Sequence, residues 1–245
     1  MLLFGLAKDF VKDILNRTLV IYIFRRELSK MTAIEDYVTF AYNFHHKIIV
    51  LPEEMRWLFS IVPFQVKAEI TQLLKIVALL KPKTLMEIGT ANGGTLFLFS
   101  RVAGPDALIL SLDLPAGRFG GGYSVWKFPL YRSFATAEQR ISLIRANSHN
   151  PKTLEKIEGI LGRQKLDFLF IDGDHTYEGV MRDFEMYSSL VRKGGIIAFH
   201  DIVPGPPKNV GAVPQFWHQI CGNYKFLEIV RDWNQGGFGI GVIHV

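Results

Sequence analysis

The segment from 84 to 101 constrains the fold of this chain more than any other. Its first five residues form a short apolar run that predicts a buried strand. A polar turn with Gly89, Gly93 and Gly94 follows, and the residues after it predict a helix. A strand, a glycine-containing turn and a helix N-terminus together form a cradle that suits a ligand with anionic atoms.

The spacing of these glycines argues against one class of ligand. The turn reads G-x-x-x-G-G, with Glu87 two residues before Gly89. A dinucleotide-binding turn requires G-x-G-x-x-G after the strand, so the pattern disfavours NAD(P). The segment alone leaves open a strand-to-helix turn that binds no ligand.

Composition places the chain among globular α/β proteins. It has 245 residues, of which 49% are hydrophobic and 13% aromatic, enough for one domain with a small extension. The net charge of +5 comes from scattered side chains rather than a basic run, so we expect no nucleic-acid partner. The single cysteine, Cys221, excludes an internal disulfide and predicts a reducing compartment such as the cytoplasm.

Strand-like and helix-like segments alternate through most of the chain. This alternation predicts an α/β fold with a doubly wound, mostly parallel sheet. The last two strands are joined by a short connection, so we expect them to pair antiparallel. The predicted strands are 84–88, 107–112, 141–144, 166–171, 195–199, 225–231 and 237–245. The predicted helices include 65–80, 151–161 and 180–191, the last closed by glycines at 194 and 195.

Polar or glycine residues follow five of the predicted strands. Because the carboxyl ends of parallel strands meet at one edge of a sheet, we expect these residues to line one ligand site. Asp113 follows the second strand, where its carboxylate can accept the ribose hydroxyls of a nucleoside; a turn-capping role is the alternative. The residues at this edge are Gly89, Asp113, Ser148, Asp172, His200 and Asp201.

Further segments contribute to the rim of the predicted site. Asp174 and His175 follow the fourth strand closely and are candidate proton acceptors, with capping of the next helix as the alternative role of each. The glycine-rich loop 115–123 is a candidate lid. We expect the acceptor pocket to be built from loops 114–135 and 202–217 together with the N-terminal segment.

Residues 1–30 carry apolar side chains at helical spacing, and two interpretations compete. The helix packs on the domain or on a second subunit, or it lies on a membrane surface with its basic side chains toward the lipid headgroups. The acidic residues Asp9, Asp13 and Glu27 dilute the basic face, which favours packing against protein. The basic side chains are Lys8, Lys12, Arg17, Arg25 and Arg26.

Five segments of the chain carry a resemblance to a known family: EIGTANGG (87–94), LDLP (112–115), FGGGY (119–123), IDGDHTYEGV (171–180) and GGIIAFHDI (194–202). They resemble the class I S-adenosylmethionine (SAM)-dependent O-methyltransferases. The similarity is greatest to the branch that includes sugar O-methyltransferases and the proteins labelled cephalosporin hydroxylase. The resemblance implies a Rossmann-like seven-stranded methyltransferase domain over 62–245, preceded by an N-terminal helical extension over 1–61.

The resemblance also implies roles for single residues. It places Asp172, His200 and Asp201 at a divalent metal, and Asp174, ahead of His175, as the base. Relatives carry acidic or amide residues where this chain has His200, and an imidazole suits manganese, iron, nickel or zinc better than magnesium. His200 as a base without a metal is the alternative. The implied cofactor-binding residues are Glu87, Gly89, Gly93, Asp113, Asn147, Ser148 and Asp172.

Together these features predict a SAM-dependent O-methyltransferase acting on a hydroxyl of a small acceptor such as a sugar or glycoside. We expect a divalent metal, magnesium or manganese, to assist. Two alternatives stay open: an NAD(P)-binding oxidoreductase on the same fold, and a non-catalytic scaffold that docks through its N-terminal residues. A homo-oligomer is compatible with the methyltransferase and with the oxidoreductase.

Overall fold

The computed structural model describes residues 2–115 and 122–245, with side chains from residue 8 onward, and this part of the chain contains one seven-stranded sheet. The strands are β1 (Thr84–Ile88), β2 (Leu108–Asp113), β3 (Arg140–Arg145), β4 (Leu166–Ile171), β5 (Val191–His200), β6 (Lys225–Ile229) and β7 (Ile240–His244). Their order is β3-β2-β1-β4-β5-β7-β6, and β7 runs in the direction opposite to the other six strands. The predicted doubly wound sheet and its antiparallel final pair are confirmed.

Helices precede the sheet and connect its strands. They are α1 (Leu2–Leu15), α2 (Ile21–Leu28), α3 (Ile34–Lys47), α4 (Glu53–Arg56), α5 (Lys67–Leu80), α6 (Gly94–Val102), α7 (Phe128–Arg132), α8 (Pro151–Leu161), α9 (Tyr177–Tyr187), α10 (Pro207–Val210) and α11 (Val213–Ile220). A π-helical segment, Asn16–Val20, joins α1 to α2. Single 3₁₀ turns lie at Trp57–Phe59, Val125–Lys127, Ser188–Leu190 and Cys221–Asn223.

Side-chain caps define where the helices after β3 and β4 begin. Pro151 opens α8 as predicted, and the side chain of Asn150 accepts a hydrogen bond from the main-chain N–H of Lys152 at 3.0 Å. At α9 the hydroxyl of Thr176 accepts from the N–H of Gly179 at 3.0 Å. These caps fix the turns between strand and helix, where the ligand site is expected.

Alternate residues of the strands face two separate cores. Leu85 and Phe168 face the layer formed by α5, α6 and the N-terminal helices. Met86 and Leu169 face the layer formed by α8, α9 and α11. Both faces of the central strands are therefore buried, as expected for a parallel sheet with helices on each side.

The N-terminal helices share a core with the sheet layer. Phe24 of α2 lies at the centre, with its ring centroid 5.5 Å from those of Phe44 and Phe97 and 5.2 Å from that of Phe134. The interpretation that residues 1–30 pack against the domain therefore holds for α2. The division of the chain at residue 61 stays a prediction. Within the described residues, no helix has both the length and the apolar character needed to cross a bilayer.

The prediction of a helix over 180–191 was wrong at its C-terminal end. The structure ends α9 at Tyr187, and Val191 already belongs to β5. Gly194, with a φ of +75°, lies inside β5 instead of capping a helix. There the register between β4 and β5 shifts. A glycine with positive φ serves equally in a helix cap and in a β-bulge, so the local pattern could not separate the two.

The last two strands and the candidate lid also differ from their predicted bounds. Strand β6 ends at Ile229, and β7 begins at Ile240 because Gly236, Gly237 and Gly239 adopt positive φ and form the loop before it. Of the candidate lid over 115–123, residues 116–121 lie outside the described part of the chain.

Candidate active site

A cavity of about 510 Å³ opens at the carboxyl ends of the parallel strands. Its volume suits a small-molecule site, and its position is the one expected for a doubly wound sheet. Neither Glu87 nor Gly93 lines it. The predicted site residues that do line it are Gly89, Asp113, Asn147, Ser148, Asp172, Asp174, His175, His200 and Asp201.

The turn after β1 is held by the strands beside it. The N–H of Gly89 donates to the carbonyl of Leu112 at 2.9 Å. The next two N–H groups, of Thr90 and Ala91, donate to Oδ2 of Asp113 at 3.0 and 2.7 Å. Gly89 and Ala91 have φ values of +90° and +44°, so the turn carries a left-handed conformation at a residue other than glycine. Such strain is typical of functional sites.

Asp113 therefore caps the turn, which was the alternative role expected from the sequence. Its side chain is only 4% exposed. Burial raises the pKa of this carboxyl, and the N–H groups of Ala91 and Thr90 oppose the rise. The carboxylate still lines the cavity, so contact with a ribose stays a prediction.

Glu87 and Gly93 lie behind the turn. Glu87 is fully buried, and burial raises the pKa of its carboxyl to about 8. Glu87 is therefore mostly protonated at neutral pH. A Cβ on Gly93 would come within 2.6 Å of the Tyr131 ring. The requirement for glycine here thus comes from packing against protein.

The turn after β3 is anchored by two side chains of α9. The hydroxyl of Tyr187 donates to the carbonyl of Ser148 at 2.7 Å. One helical turn earlier, Asp183 is fully buried, and its Oδ1 lies 3.2 Å from Nε2 of His149. His149 lines the cavity, although the sequence analysis did not name it as a site residue. Its partner is far away along the chain, and no local spacing indicated the pair.

The His149–Asp183 pair should make stability depend on pH. The hydrogen bond to Asp183 raises the pKa of His149 above its usual value, against the effect of burial. The folded chain then binds this proton more tightly than the unfolded chain does. The stabilisation is therefore complete below about pH 6.5 and is lost as pH rises through the folded-state pKa.

We expect Asp183→Asn to remove that part of the pH dependence. Thermal unfolding measured between about pH 5.5 and 8.5 would show a shallower fall in Tm for the variant than for the wild type. His218→Gln, at an exposed position of α11, is the matched control and should keep the wild-type slope. Equal slopes for D183N and the wild type would contradict the assignment.

Four titratable side chains meet at the ends of β4 and β5, and we call them the Asp/His cluster: Asp172, His175, His200 and Asp201. Oδ1 of Asp172 lies 3.3 Å from Nε2 of His175 and 3.1 Å from Nδ1 of His200. Oδ2 of Asp201 lies 3.4 Å from Nδ1 of His175. That nitrogen also lies 2.5 Å from the carbonyl oxygen of Asn209. Since a carbonyl can only accept, Nδ1 of His175 carries the proton.

Burial and charge act in opposite directions on this cluster. Burial would raise the pKa of Asp172, but His200 and His175 outweigh it and hold the pKa well below its usual range. Burial would lower the pKa of His175, but Asp172 and Asp201 raise it to about 9. The same carboxylates raise the pKa of His200 against burial, and burial raises the pKa of Asp201. A carboxylate and an imidazolium therefore face each other at neutral pH.

The cluster can supply metal ligands. Ligand atoms of Asp172, His175 and Asp201 all lie within 4.8 Å of one another. This set contains His175, whereas the sequence predicted His200 beside the two carboxylates. His200 lies deeper, with its side chain 3% exposed against 12% for His175. Two carboxylates and an imidazole fit a divalent transition metal better than magnesium.

Asp174 supports the cap of α9, which is Thr176, instead of capping the helix itself. Its Oδ1 accepts a hydrogen bond from the N–H of Thr176 at 2.9 Å, just before α9 begins. A Cβ on Gly179 would approach Cγ of Asp174 to 2.2 Å, so glycine leaves room for this carboxylate. Asp174 nevertheless lines the cavity, where it can still reach a ligand.

Two residues from distant segments complete the site. The side-chain amide of Gln65, before α5, donates to Oδ2 of Asp172 at 2.8 Å. The N–H of Phe238, between β6 and β7, donates to Oδ1 of Asp201 at 3.0 Å. Neither belongs to a recognisable motif, so sequence reasoning missed both.

Known proteins share the fold of this chain and part of its sequence. Residues 86–202 match a family model described as a methyltransferase domain. They include most of β1, all of β2–β5 and most of the residues that line the cavity. The solved O-methyltransferase TomG of Streptomyces achromogenes, involved in tomaymycin synthesis and in complex with SAM, has a similar fold: TM-score 0.55, 17% identity, 85% of this chain and 89% of that one. Residues 86–202, just under half of the chain, are therefore similar to a methyltransferase domain. An O-methyltransferase of Bacillus cereus in complex with S-adenosylhomocysteine (SAH) aligns with this chain at TM-score 0.55 and 16% identity, over 85% and 90% of the two chains.

Among curated proteins the similarity is short. The uncharacterized protein R132 of Acanthamoeba polyphaga mimivirus is 56% identical over 36 residues, which is 15% of this chain. The alignment spans 16% of that protein's length. The fold and the site geometry therefore carry the functional argument.

Proposed function

We propose that this chain is a methyltransferase that uses SAM to methylate a hydroxyl of a small acceptor such as a sugar or glycoside, with a divalent metal assisting. The observation that carries the proposal is the lining of one cavity. Gly89 and Asp113 line it together with the whole Asp/His cluster. A nucleoside-type turn and a set of metal-binding and proton-accepting groups thus open into the same space.

The proposed cofactor contacts follow the cavity lining. SAM, which is bound to TomG, supplies an activated methyl group on a sulfonium. We assign the turn at Gly89 to its methionine end, Asp113 to its ribose, and Asn147 and Ser148 to its adenine. Asp113 is already fixed by the N–H groups of the turn, so its carboxylate is oriented before the ligand arrives. Such orientation lowers the cost of binding.

For the metal we assign Asp172, His175 and Asp201. The carbonyl of Asn209 accepts from Nδ1 of His175 and leaves Nε2 as the ligand atom, an arrangement typical of metal-binding histidines. His200 and Gln65 orient the carboxylate of Asp172. A divalent cation held there supplies Lewis acidity, which makes an alcohol easier to deprotonate. Manganese, iron, nickel or zinc fits these donors better than magnesium.

The protein must place the acceptor oxygen and take up its proton. Positioning alone can lower the activation barrier by roughly 7–11 kcal/mol, and a correctly placed base accelerates the reaction by about 10²–10⁴-fold. We assign the base to Asp174, which lines the cavity beside the cluster. The aromatic side chains of Phe64 and Phe238, 57% and 39% exposed, also line the cavity and suit a ring that carries hydroxyls.

Isothermal titration and an SAH-release assay test the proposal. We expect SAM and SAH to bind, and SAH to be released with Mn²⁺ and a hydroxylated ring acceptor from a panel. His175→Gln should weaken Mn²⁺ binding and the rate together. A lower rate with unchanged Mn²⁺ affinity would instead make His175 the base. Failure of both SAM and SAH to bind would overturn the proposal.

A location in the cytoplasm belongs to the same proposal. Cys221 is a free, buried thiol, and the protein needs no disulfide to close its two cores. SAM-dependent chemistry also requires a compartment that supplies the cofactor.

A further inference from the structure

Three large apolar side chains in the described part of α1 face outward. Phe10, Val11 and Ile14 are 65%, 52% and 44% exposed. A surface helix ordinarily turns its apolar stripe toward the core and its polar residues toward water. The described part of α1 departs from this rule, because only Leu15 packs against the core while these three large apolar side chains stay uncovered.

The orientation of α1 is fixed by polar contacts on its inner side. The buried side-chain amide of Asn16 donates to the carbonyl of Trp126 at 2.7 Å. The ammonium of Lys12 lies 5.4 Å from the centroid of the Trp126 ring. Further along, Val20 and Phe24 are fully buried in the core. Rotating α1 to bury Phe10 and Ile14 would break the contacts of Asn16 and Lys12.

The exposed surface of this helical stretch is apolar and basic. Asp9 is the one exposed acidic residue among the described side chains from 8 to 26, and it pairs with Lys12 at 3.0 Å. Two less exposed acids lie at its edge: Asp13 pairs with Arg17 at 2.7 Å, and Glu27 pairs with Arg26 at 2.8 Å, so the basic side chains remain in excess. Tyr22 is 63% exposed and extends the apolar surface along α2. We call this surface the outer face of α1 and α2; its exposed members are Lys8, Asp9, Phe10, Val11, Ile14, Arg17, Thr18, Tyr22, Arg25 and Arg26.

We propose that the outer face of α1 and α2 lies on the surface of a bilayer that contains anionic lipid. Aliphatic and aromatic side chains would enter the headgroup boundary, and the basic side chains would pair with lipid phosphates and carboxylates. A second copy fits this face less well. In a two-fold dimer the same patch meets itself, so a face with an excess of basic side chains would pack against a face of the same charge.

Vesicle co-sedimentation of the full chain tests the proposal. The probes are vesicles of phosphatidylcholine alone and of phosphatidylcholine mixed with phosphatidylserine. We expect binding to the mixed vesicles, weakened by salt. Phe10→Ser with Ile14→Ser should weaken it at least tenfold, and so should Arg25→Glu with Arg26→Glu. Leu79→Ser is the matched control, because Leu79 is 86% exposed on α5 and outside the outer face.

Three results would overturn the proposal. The first is no binding to the mixed vesicles, or equal binding to both kinds of vesicle. The second is the same loss of binding in Leu79→Ser as in the outer-face variants. The third is a dimer in light scattering that dissociates on F10S/I14S, which would assign the face to a second copy. Thermal melting of each variant checks that it still folds.

Discussion

Replacing Asp172 with asparagine is expected to abolish Mn²⁺ binding and to lower the rate of methyl transfer at least a hundredfold. Asparagine keeps the shape of the side chain but removes the charge that holds two imidazoles at 3.3 and 3.1 Å. Preorganised electrostatic groups in a buried site typically contribute about 10²–10³ in rate. Titration with Mn²⁺ and the SAH-release assay measure the two effects separately.

Two control variants separate the parts of this prediction. Asp174→Asn should lower the rate by about a hundredfold or more and leave Mn²⁺ affinity unchanged, because we assign Asp174 as the base, outside the proposed metal set. Asp106→Asn, at an exposed acid far from the cluster in sequence, should change neither quantity. Wild-type metal affinity and rate in D172N would contradict the proposed role of the cluster.

The strand ends were predictable because they follow from local pattern and topology alone. A buried apolar run predicts a strand, and the alternation with helices predicts that parallel strands end at one edge. That reasoning brought Gly89, Asp113 and Asp172 to one cavity, as the structure shows. It could not tell that Gly194 forms a bulge inside β5, because the same glycine also fits a helix cap.

The supporting residues of the site were not predictable from the sequence. Gln65 and Phe238 reach Asp172 and Asp201 only because the fold brings distant segments together. The pairing of His149 with Asp183 has the same origin. The outer face of α1 and α2 shows a related limit: helical spacing identified an amphipathic segment but not which side would face the protein.

The reason for the glycines in the first turn also differs from the expectation. The sequence suggested that they let the backbone approach a ligand. In the structure, Gly93 packs against Tyr131, and Gly94 lies where a Cβ would come 2.5 Å from the carbonyl oxygen of Ile61. The turn is therefore shaped by contacts with the rest of the protein, and Gly89 is the position where these constraints are greatest.

Gly89→Ala is expected to destabilise the fold by about 3 kcal/mol or more. A Cβ at this position would lie 1.9 Å from the carbonyl oxygen of Asp172 and 2.5 Å from its carbonyl carbon, both rigid main-chain atoms. The φ of +90° adds strain of about 1–2 kcal/mol for any residue with a Cβ. Relief requires β1 and β4 to move apart at their carboxyl ends. Denaturant unfolding measures the loss of stability.

The same movement connects the stability of the turn to the chemistry of the site. Separating Gly89 from Asp172 would displace the Asp/His cluster relative to the turn after β1, which we assign to SAM. We therefore expect G89A to lose SAH binding as well. Gly159→Ala is the matched control: it lies within α8 with no atom within 4 Å of the added Cβ. There alanine should stabilise by about 0.5–1 kcal/mol and keep SAH affinity. A G89A variant as stable as G159A would show that the ends of β1 and β4 can separate freely. The proposal that a rigid turn after β1 orients SAM would then be contradicted.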